Sequence, residues 1–227
     1  MLVTVEIRRG TARFTDRDQG RATRHAFSFG AVYDPAHVAF GPMICHDEHV
    51  LGNGRGFDTH RHAGLEIVTW VVSGALTHTD SSNGSRPHTL VPGEVGHLHA
   101  GAGVEHSEIA AAPQTRFVQV WLRAEDGDEP SYDVRAVSPG TLTEALTVAG
   151  STLWVSRLAG GESVTLPDGG LLHVYVASGA LLRNSLAEPL AAGDALLVTD
   201  EPGQLAVTAA VDSELLIWRL SADDQTT

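Results

Sequence analysis

Two short runs hold the residues of this chain best suited to metal chemistry. His60-Arg61-His62 follows a glycine-rich loop, and His106-Ser107-Glu108 follows Gly101-Ala102-Gly103. Along an extended strand, side chains two positions apart share a face, so each run sends a pair of ligand types in one direction. Two such strands paired within one barrel can aim three imidazoles and one carboxylate at a common interior point. Those donors suit a single divalent transition metal. Without thiolate among them, iron, zinc, manganese, nickel and copper all stay open. Four protein ligands on a six-coordinate ion leave two positions, enough for a bidentate substrate or for substrate plus dioxygen.

A lone His-x-His pair is weak evidence. With 12 histidines in 227 residues, chance supplies roughly 0.6 such pairs. The chain has a second pair, His97-Leu98-His99, and a second His-x-Glu, His46-Asp47-Glu48. Context separates them. Gly54, five residues, His60-x-His62 and then Glu66 fit the first cupin motif, and Gly101-x-Gly103, two residues and His106 fit the core of the second. Glu66 stands where ordinary cupins place a carboxylate ligand. With Glu108 filling that role, Glu66 is expected to orient a histidine from behind. His97 and His99 are expected to be structural or pocket-lining, and His46 to His49 to form a solvated loop, with the rim of the entrance as the alternative. Cys45 reads as a small core residue. Trp121 and Trp218 read as core packing, and His173, the only histidine of the second half, has no assigned chemistry.

The elements that must position these groups read as strands. Val3 to Arg8, Glu66 to Val72, Phe117 to Leu122, Thr152 to Leu158, Leu171 to Val176, Ala195 to Val198, Leu205 to Thr208 and Leu215 to Leu220 are short, β-branched or aromatic, and bounded by turn residues. Leu142 to Val148 carries the one hint of helix. The halves also echo each other. Val71 to Leu76 matches Val176 to Leu181, Leu90 to Glu94 matches Leu190 to Asp194, and Val120-Trp121-Leu122 matches Ile217-Trp218-Arg219. The expectation is an all-β chain of two jelly-roll, cupin-type barrels. The division into residues 1–130 and 131–227 falls in the polar stretch Arg123 to Pro139. Counting from the Ser-Gly turn sets Thr165 and Pro167 opposite the first histidine pair, so the second barrel is expected to be a degenerate copy without ligands.

Composition excludes several partners. The net charge is −13, every basic residue is Arg, and no basic run occurs, which argues against nucleic acid or an anionic membrane surface. A single cysteine precludes an internal disulfide. Met1 to Gly10 lacks the apolar core of a signal peptide. No apolar run approaches the roughly 18 residues of a membrane span. The expected location is the cytoplasm.

Longer stretches carry a family resemblance. His25-Ala26-Phe27-Ser28-Phe29, Tyr33-Asp34-Pro35, Gly56 through Trp70, Gly74 to Asn83 and Ala100 through Glu108 together resemble the pirin family, closely over residues 20 to 125 and loosely beyond. The resemblance implies a two-domain cupin whose leading barrel holds one iron, Fe(2+), through His60, His62, His106 and Glu108. It also implies cleavage of a flavonol such as quercetin with dioxygen, with Glu108 both ligand and base for the flavonol hydroxyl. A second role in the family is that of a non-catalytic, redox-sensing iron protein acting through protein partners. Two departures stand out: Arg61 replaces the usual proline between the first ligands, and His97 and His99 occupy a strand that more often carries other residues.

Overall fold

The computed structural model describes residues 4–125, 127–184, 187–199 and 205–221. Val3, the expected start of the first strand, lies outside them. The leading strands are β1 (Thr4–Arg8), β2 (Phe14–Asp18), β3 (Arg21–His25), β4 (Met43–Leu51), β5 (Gly56–His62) and β6 (Leu65–Ser73). They are followed by β7 (Leu76–Asp80), β8 (His88–Leu90), β9 (Glu94–His99), β10 (Val104–Ala110), β11 (Thr115–Arg123) and β12 (Ser131–Ala136). The remaining strands are β13 (Thr143–Val148), β14 (Ser151–Leu158), β15 (Ser163–Thr165), β16 (Leu171–Ser178), β17 (Ala180–Leu181), β18 (Leu190–Ala191), β19 (Ala195–Thr199), β20 (Ala206–Thr208) and β21 (Ser213–Leu220). One short 3-10 turn, Gly10–Ala12, is the only helical element among the described residues. Leu142 to Val148, the stretch with the one hint of helix, instead contributes β13 from Thr143 on, paired along β14.

The strands sort into two compact units, and neither is a continuous piece of chain. One holds residues 14–39 and 43–137, the other residues 4–13, 40–42 and the described part of 138–221. A cut between 130 and 131 therefore does not follow the pairing. β12 extends the first unit's sheet against β9, while β1 extends the second unit's sheet against β19.

In the first unit a seven-stranded sheet, β12-β9-β6-β11-β4-β3-β2, is joined by a four-stranded one, β5-β10-β7-β8. Their inner faces interdigitate in two apolar layers. One layer gathers Leu51, Val71, Leu76, Leu90, Ala110 and Phe117, and the other gathers Ile67, Leu98, Ala100 and Val104. Strand alternation dictates what lies between them. On β6, Thr69 falls between Ile67 and Val71; on β10, His106 and Glu108 fall between Val104 and Ala110. A polar belt is thus built into the middle of an otherwise apolar barrel.

In the second unit the sheet runs β1-β19-β16-β21-β14-β13, with two short ladders, β15-β20 and β17-β18. Its main core is an apolar cluster formed by Val164, Leu166, Leu172, Val174, Val176, Leu196, Val198, Val207, Leu215 and Ile217 among others. Val164 pairs with Val207 as His60 pairs with His106. Val164 and Leu166 are the inward residues here, whereas Thr165 is exposed. The count that set Thr165 and Pro167 opposite the histidines is off by one residue, which exchanges the two faces of a strand.

The sequence echo has a structural basis. Gly74 and Gly179 take φ values of 82° and 83°, which side chains rarely adopt. After each glycine the same clasp follows. Ala75 N–H donates to Thr115 Oγ1 (3.2 Å) and that hydroxyl donates to Ala75 O (2.9 Å); Ala180 N–H donates to Ser213 Oγ (3.0 Å), which donates back to Ala180 O (3.1 Å). Trp121 and Trp218 are not equivalents in this register. Trp121 pairs with Ile67 and Trp218 with His173, which puts them on opposite faces of corresponding sheets.

Candidate metal centre

β10 is the central strand of the site, flanked by β5 and β7. His106 pairs with His60 on one side and Asp80 on the other, and Glu108 pairs with Phe57 and His78. The β5 register slips between His106 and Glu108, so Asp58 and Thr59 together oppose Ser107. This bulge re-aims a side chain: it brings the Asp58 carbonyl to His60 Nδ1 at 2.7 Å. The Nδ1–H donates to that oxygen, which leaves the lone pair on Nε2. Gly56 makes the close approach possible, since a Cβ there would sit 1.9 Å from the Glu108 carbonyl oxygen.

Three of the four expected ligands converge as one set. The ring nitrogens of His60, His62 and His106 include one from each residue lying within 4.8 Å of the others. Their ring centroids are 4.4 to 5.1 Å apart. Glu108 joins an overlapping set with His106 and His78. Its Oε1 is 4.0 Å from both His106 Nδ1 and His78 Nδ1. Gln119 Nε2 donates to the same oxygen at 2.6 Å, and Trp121 Nε1 donates to Gln119 Oε1 at 2.9 Å. Trp121 packs against the Ile67, Leu98, Ala100 and Val104 layer, as expected, and also lies against His62 with ring centroids 4.7 Å apart.

The protonation states suit metal binding. Burial, then the neighbouring His60, His78 and His62, lowers His106 to about 2. Burial and His60 lower His62 to about 4. Both rings are therefore neutral at physiological pH, the form that ligates. Burial raises Glu108 to about 7, against the bond from Gln119. His62 Nε2 and both nitrogens of His106 are buried without a hydrogen-bond partner. A buried polar atom left unpaired costs about 1–3 kcal/mol, and an ion accepting lone pairs from these rings relieves part of that cost. The donor set and its orphaned nitrogens fit a divalent transition metal.

Other residues depart from expectation. His46 to His49 are not a solvated loop but part of β4, and all four are buried. Three of them have side-chain partners: Glu48 takes Arg24 and Arg116, Asp47 takes His25, and His49 takes Thr23. Glu66 does not orient a metal-site histidine. It lies on the face opposite Thr69 and accepts from His97 Nε2 (2.6 Å) and His99 Nδ1 (2.8 Å), so those two histidines are structural partners. Arg61 is exposed and reaches the Ala102 carbonyl at 2.7 Å. Cys45 is buried, as expected. His78 is a neighbour of the site that the two ligand runs do not include. Its signal is a further i, i+2 run, His78-x-Asp80; His78 Nε2 lies 3.2 Å from Asp80, and Tyr132 stacks on its ring at 3.8 Å.

The site opens on a cavity of about 640 Å³ whose walls include His60, His62, Glu108, Gln119, Trp121, Phe57, Phe29, His25, Asp47 and His49. That volume is within the range of small-molecule sites.

Comparison with known proteins agrees with this geometry. The chain is 36% identical, over 98% of its length and 97% of the relative's, to a Mycobacterium bovis protein with a provisional quercetin 2,3-dioxygenase name. It is 35% identical to the Escherichia coli quercetin 2,3-dioxygenase over 49% of this chain and 48% of that one. The structure superposes on the Escherichia coli bacterial pirin YhhW in complex with nickel(II) with a TM-score of 0.87 and 25% identity, covering 96% of this chain and 99% of that chain. The family model named Pirin matches residues 7–122, a stretch that takes in every histidine and carboxylate of the site. An all-β, cupin-type chain with this ligand cluster, this family match and these relatives belongs to the pirin family.

Proposed function

We propose that the protein is a metal-dependent dioxygenase that opens the heterocycle of a flavonol such as quercetin, with His60, His62, His106 and Glu108 holding one ion, iron in the first instance. When bound, the ion supplies a Lewis-acid seat for a chelating phenol and one-electron chemistry toward dioxygen. The protein residues do the rest. His60 is turned by the Asp58 carbonyl, and Glu108 is steadied by Gln119 at 2.6 Å. Glu108 lines the cavity and takes the proton of the flavonol hydroxyl, a transfer suited to a carboxylate near neutral pKa. Trp121 and Phe57 form flat apolar walls for an aromatic ligand.

The observation that carries the reading is the group of buried, partnerless nitrogens on His62 and His106 beside a cavity sized for a small aromatic molecule. The experiment is oxygen uptake and bleaching of quercetin by protein reconstituted with iron, manganese, nickel, copper or zinc. His62→Ala abolishes metal retention and turnover, while His99→Ala spares the metal. Protein loaded with each ion that neither consumes oxygen nor bleaches quercetin overturns the reading.

A further inference from the structure

A second polar group lies across the inner face of the large sheet. The register places Thr69, Gln119, Asp47 and His25 in one row over β6, β11, β4 and β3. Adjacent strands lie about 4.8 Å apart, so the His25 backbone is roughly 10 Å from that of Gln119, the residue that holds Glu108. His25 Nδ1 and Asp47 Oδ2 are 2.7 Å apart, and both residues are buried and line the cavity. The carboxylate accepts, so Nδ1 carries the hydrogen and Nε2 the lone pair. No described protein group engages Nε2, and it is not among the side-chain atoms sealed from solvent without a partner. The ring is fixed by stacking on Phe29 (4.9 Å, 11°), Phe29 meets Trp121 edge-on (6.1 Å, 73°), and Trp121 meets His62 (4.7 Å). An aromatic wall therefore runs from a metal-site histidine to His25.

We infer that His25, oriented by Asp47, is a specificity residue whose Nε2 accepts the hydrogen of a distal hydroxyl on a flat, polyhydroxylated aromatic substrate. This deepens the flavonol reading and rests on it. The open acceptor requires a donor, a phenol supplies one, and a ligand of two or three fused or linked rings spans the interval along the wall.

The test uses full-length, metal-loaded protein and two probes titrated anaerobically: quercetin, and 3-hydroxyflavone, which keeps the chelating 3-hydroxy-4-keto pair and no other hydroxyl. His25→Ala weakens quercetin binding about five- to tenfold, the worth of one hydrogen bond. It leaves 3-hydroxyflavone within about twofold, because that ligand offers His25 nothing. Asp47→Ala removes the acceptor that fixes Nδ1–H and frees the ring to turn; it weakens quercetin alone, by a smaller factor. Metal content stays at the wild-type level in both variants. Equal losses for the two probes, or no loss for quercetin in a folded variant, overturns the role of His25 and leaves the flavonol reading standing. Wild-type protein that binds neither probe overturns both.

Discussion

Replacing Gln119 by Met tests whether Glu108 is held in place for an ion. Gln119 is buried and makes three side-chain contacts: Nε2 to Glu108 Oε1 at 2.6 Å, Nε2 to Thr69 Oγ1 at 3.3 Å, and Oε1 to Trp121 Nε1 at 2.9 Å. Met keeps the length and flexibility of the chain but neither donates to Glu108 nor accepts strongly from Trp121. A hydrogen bond to a charged group is worth about 1.5–3 kcal/mol. At about 1.4 kcal/mol per factor of ten, its loss lowers metal affinity roughly 10- to 100-fold, the range seen when a residue behind a ligand is removed. Glu108 also titrates higher, because burial then acts without the opposing bond. Competition with a chromogenic chelator at fixed pH measures the affinity, and thermal melting of the metal-free protein monitors the fold. A folded Gln119→Met variant whose metal affinity stays within about twofold of wild type refutes the reasoning, because Glu108 would then not be a held ligand.

Three further outcomes follow from the packing. Gly56→Ala drives a Cβ to 1.9 Å from the Glu108 carbonyl; displacement of β10 costs about 1–3 kcal/mol or more and reduces metal content, both visible in melting and elemental analysis. Leu196→Ala, at a fully buried position of the second unit, lowers stability by about 2–5 kcal/mol without changing metal stoichiometry per folded chain. For Asp194, burial alone would raise the carboxyl, but the N–H groups of Ala191 and Gly10 and the Arg9 guanidinium outweigh it and hold it low. A folded-state pKa below the unfolded one stabilises above the ordinary carboxyl range and is lost as pH falls through the folded value. The melting deficit of Asp194→Asn is therefore about 2 kcal/mol at neutral pH and shrinks in acid below about pH 4; a deficit that is constant with pH contradicts it.

What the sequence made legible was the ligand types, because an i, i+2 pair on a strand needs no tertiary information beyond alternation. The strands bearing them were harder to see. Met43–Leu51, Gly56–His62 and Val104–Ala110 turn His, Asp or Glu inward where a strand normally shows apolar residues, so the site itself erased the pattern that identifies its scaffold. Face assignments failed where a single residue of register decides them. Glu66 follows the first ligand pair at the spacing of a carboxylate ligand, yet β6 alternation directs Ile67, Thr69 and Val71 inward and leaves Glu66 to His97 and His99. Leu142 to Val148 mixes the β-branched Thr143, Thr147 and Val148 with the helix formers Glu144, Ala145 and Leu146, and pairing along β14 makes Thr143–Val148 a strand.

The two barrels separate what a jelly-roll of this kind requires from what a metal site requires. Both keep the left-handed glycine and its hydroxyl clasp, at Gly74 with Thr115 and at Gly179 with Ser213. Both also keep the turn in which an acid caps the residue three before it: Val91 N–H donates to Glu94 at 3.2 Å, and Ala191 N–H to Asp194 at 3.0 Å. These devices set strand connection and register, and they hold whether the interior is polar or apolar. The second barrel fills the matching positions with Val164, Leu166 and Val207, a choice that buries apolar surface and strands no donor. The first barrel instead buries imidazoles with unpaired nitrogens at these positions, a sacrifice of stability that the fold does not demand there, since its own second copy fills them with apolar side chains. Selection for something those nitrogens bind is the physical reason for such an arrangement to persist, and a metal is the occupant their donor types suit.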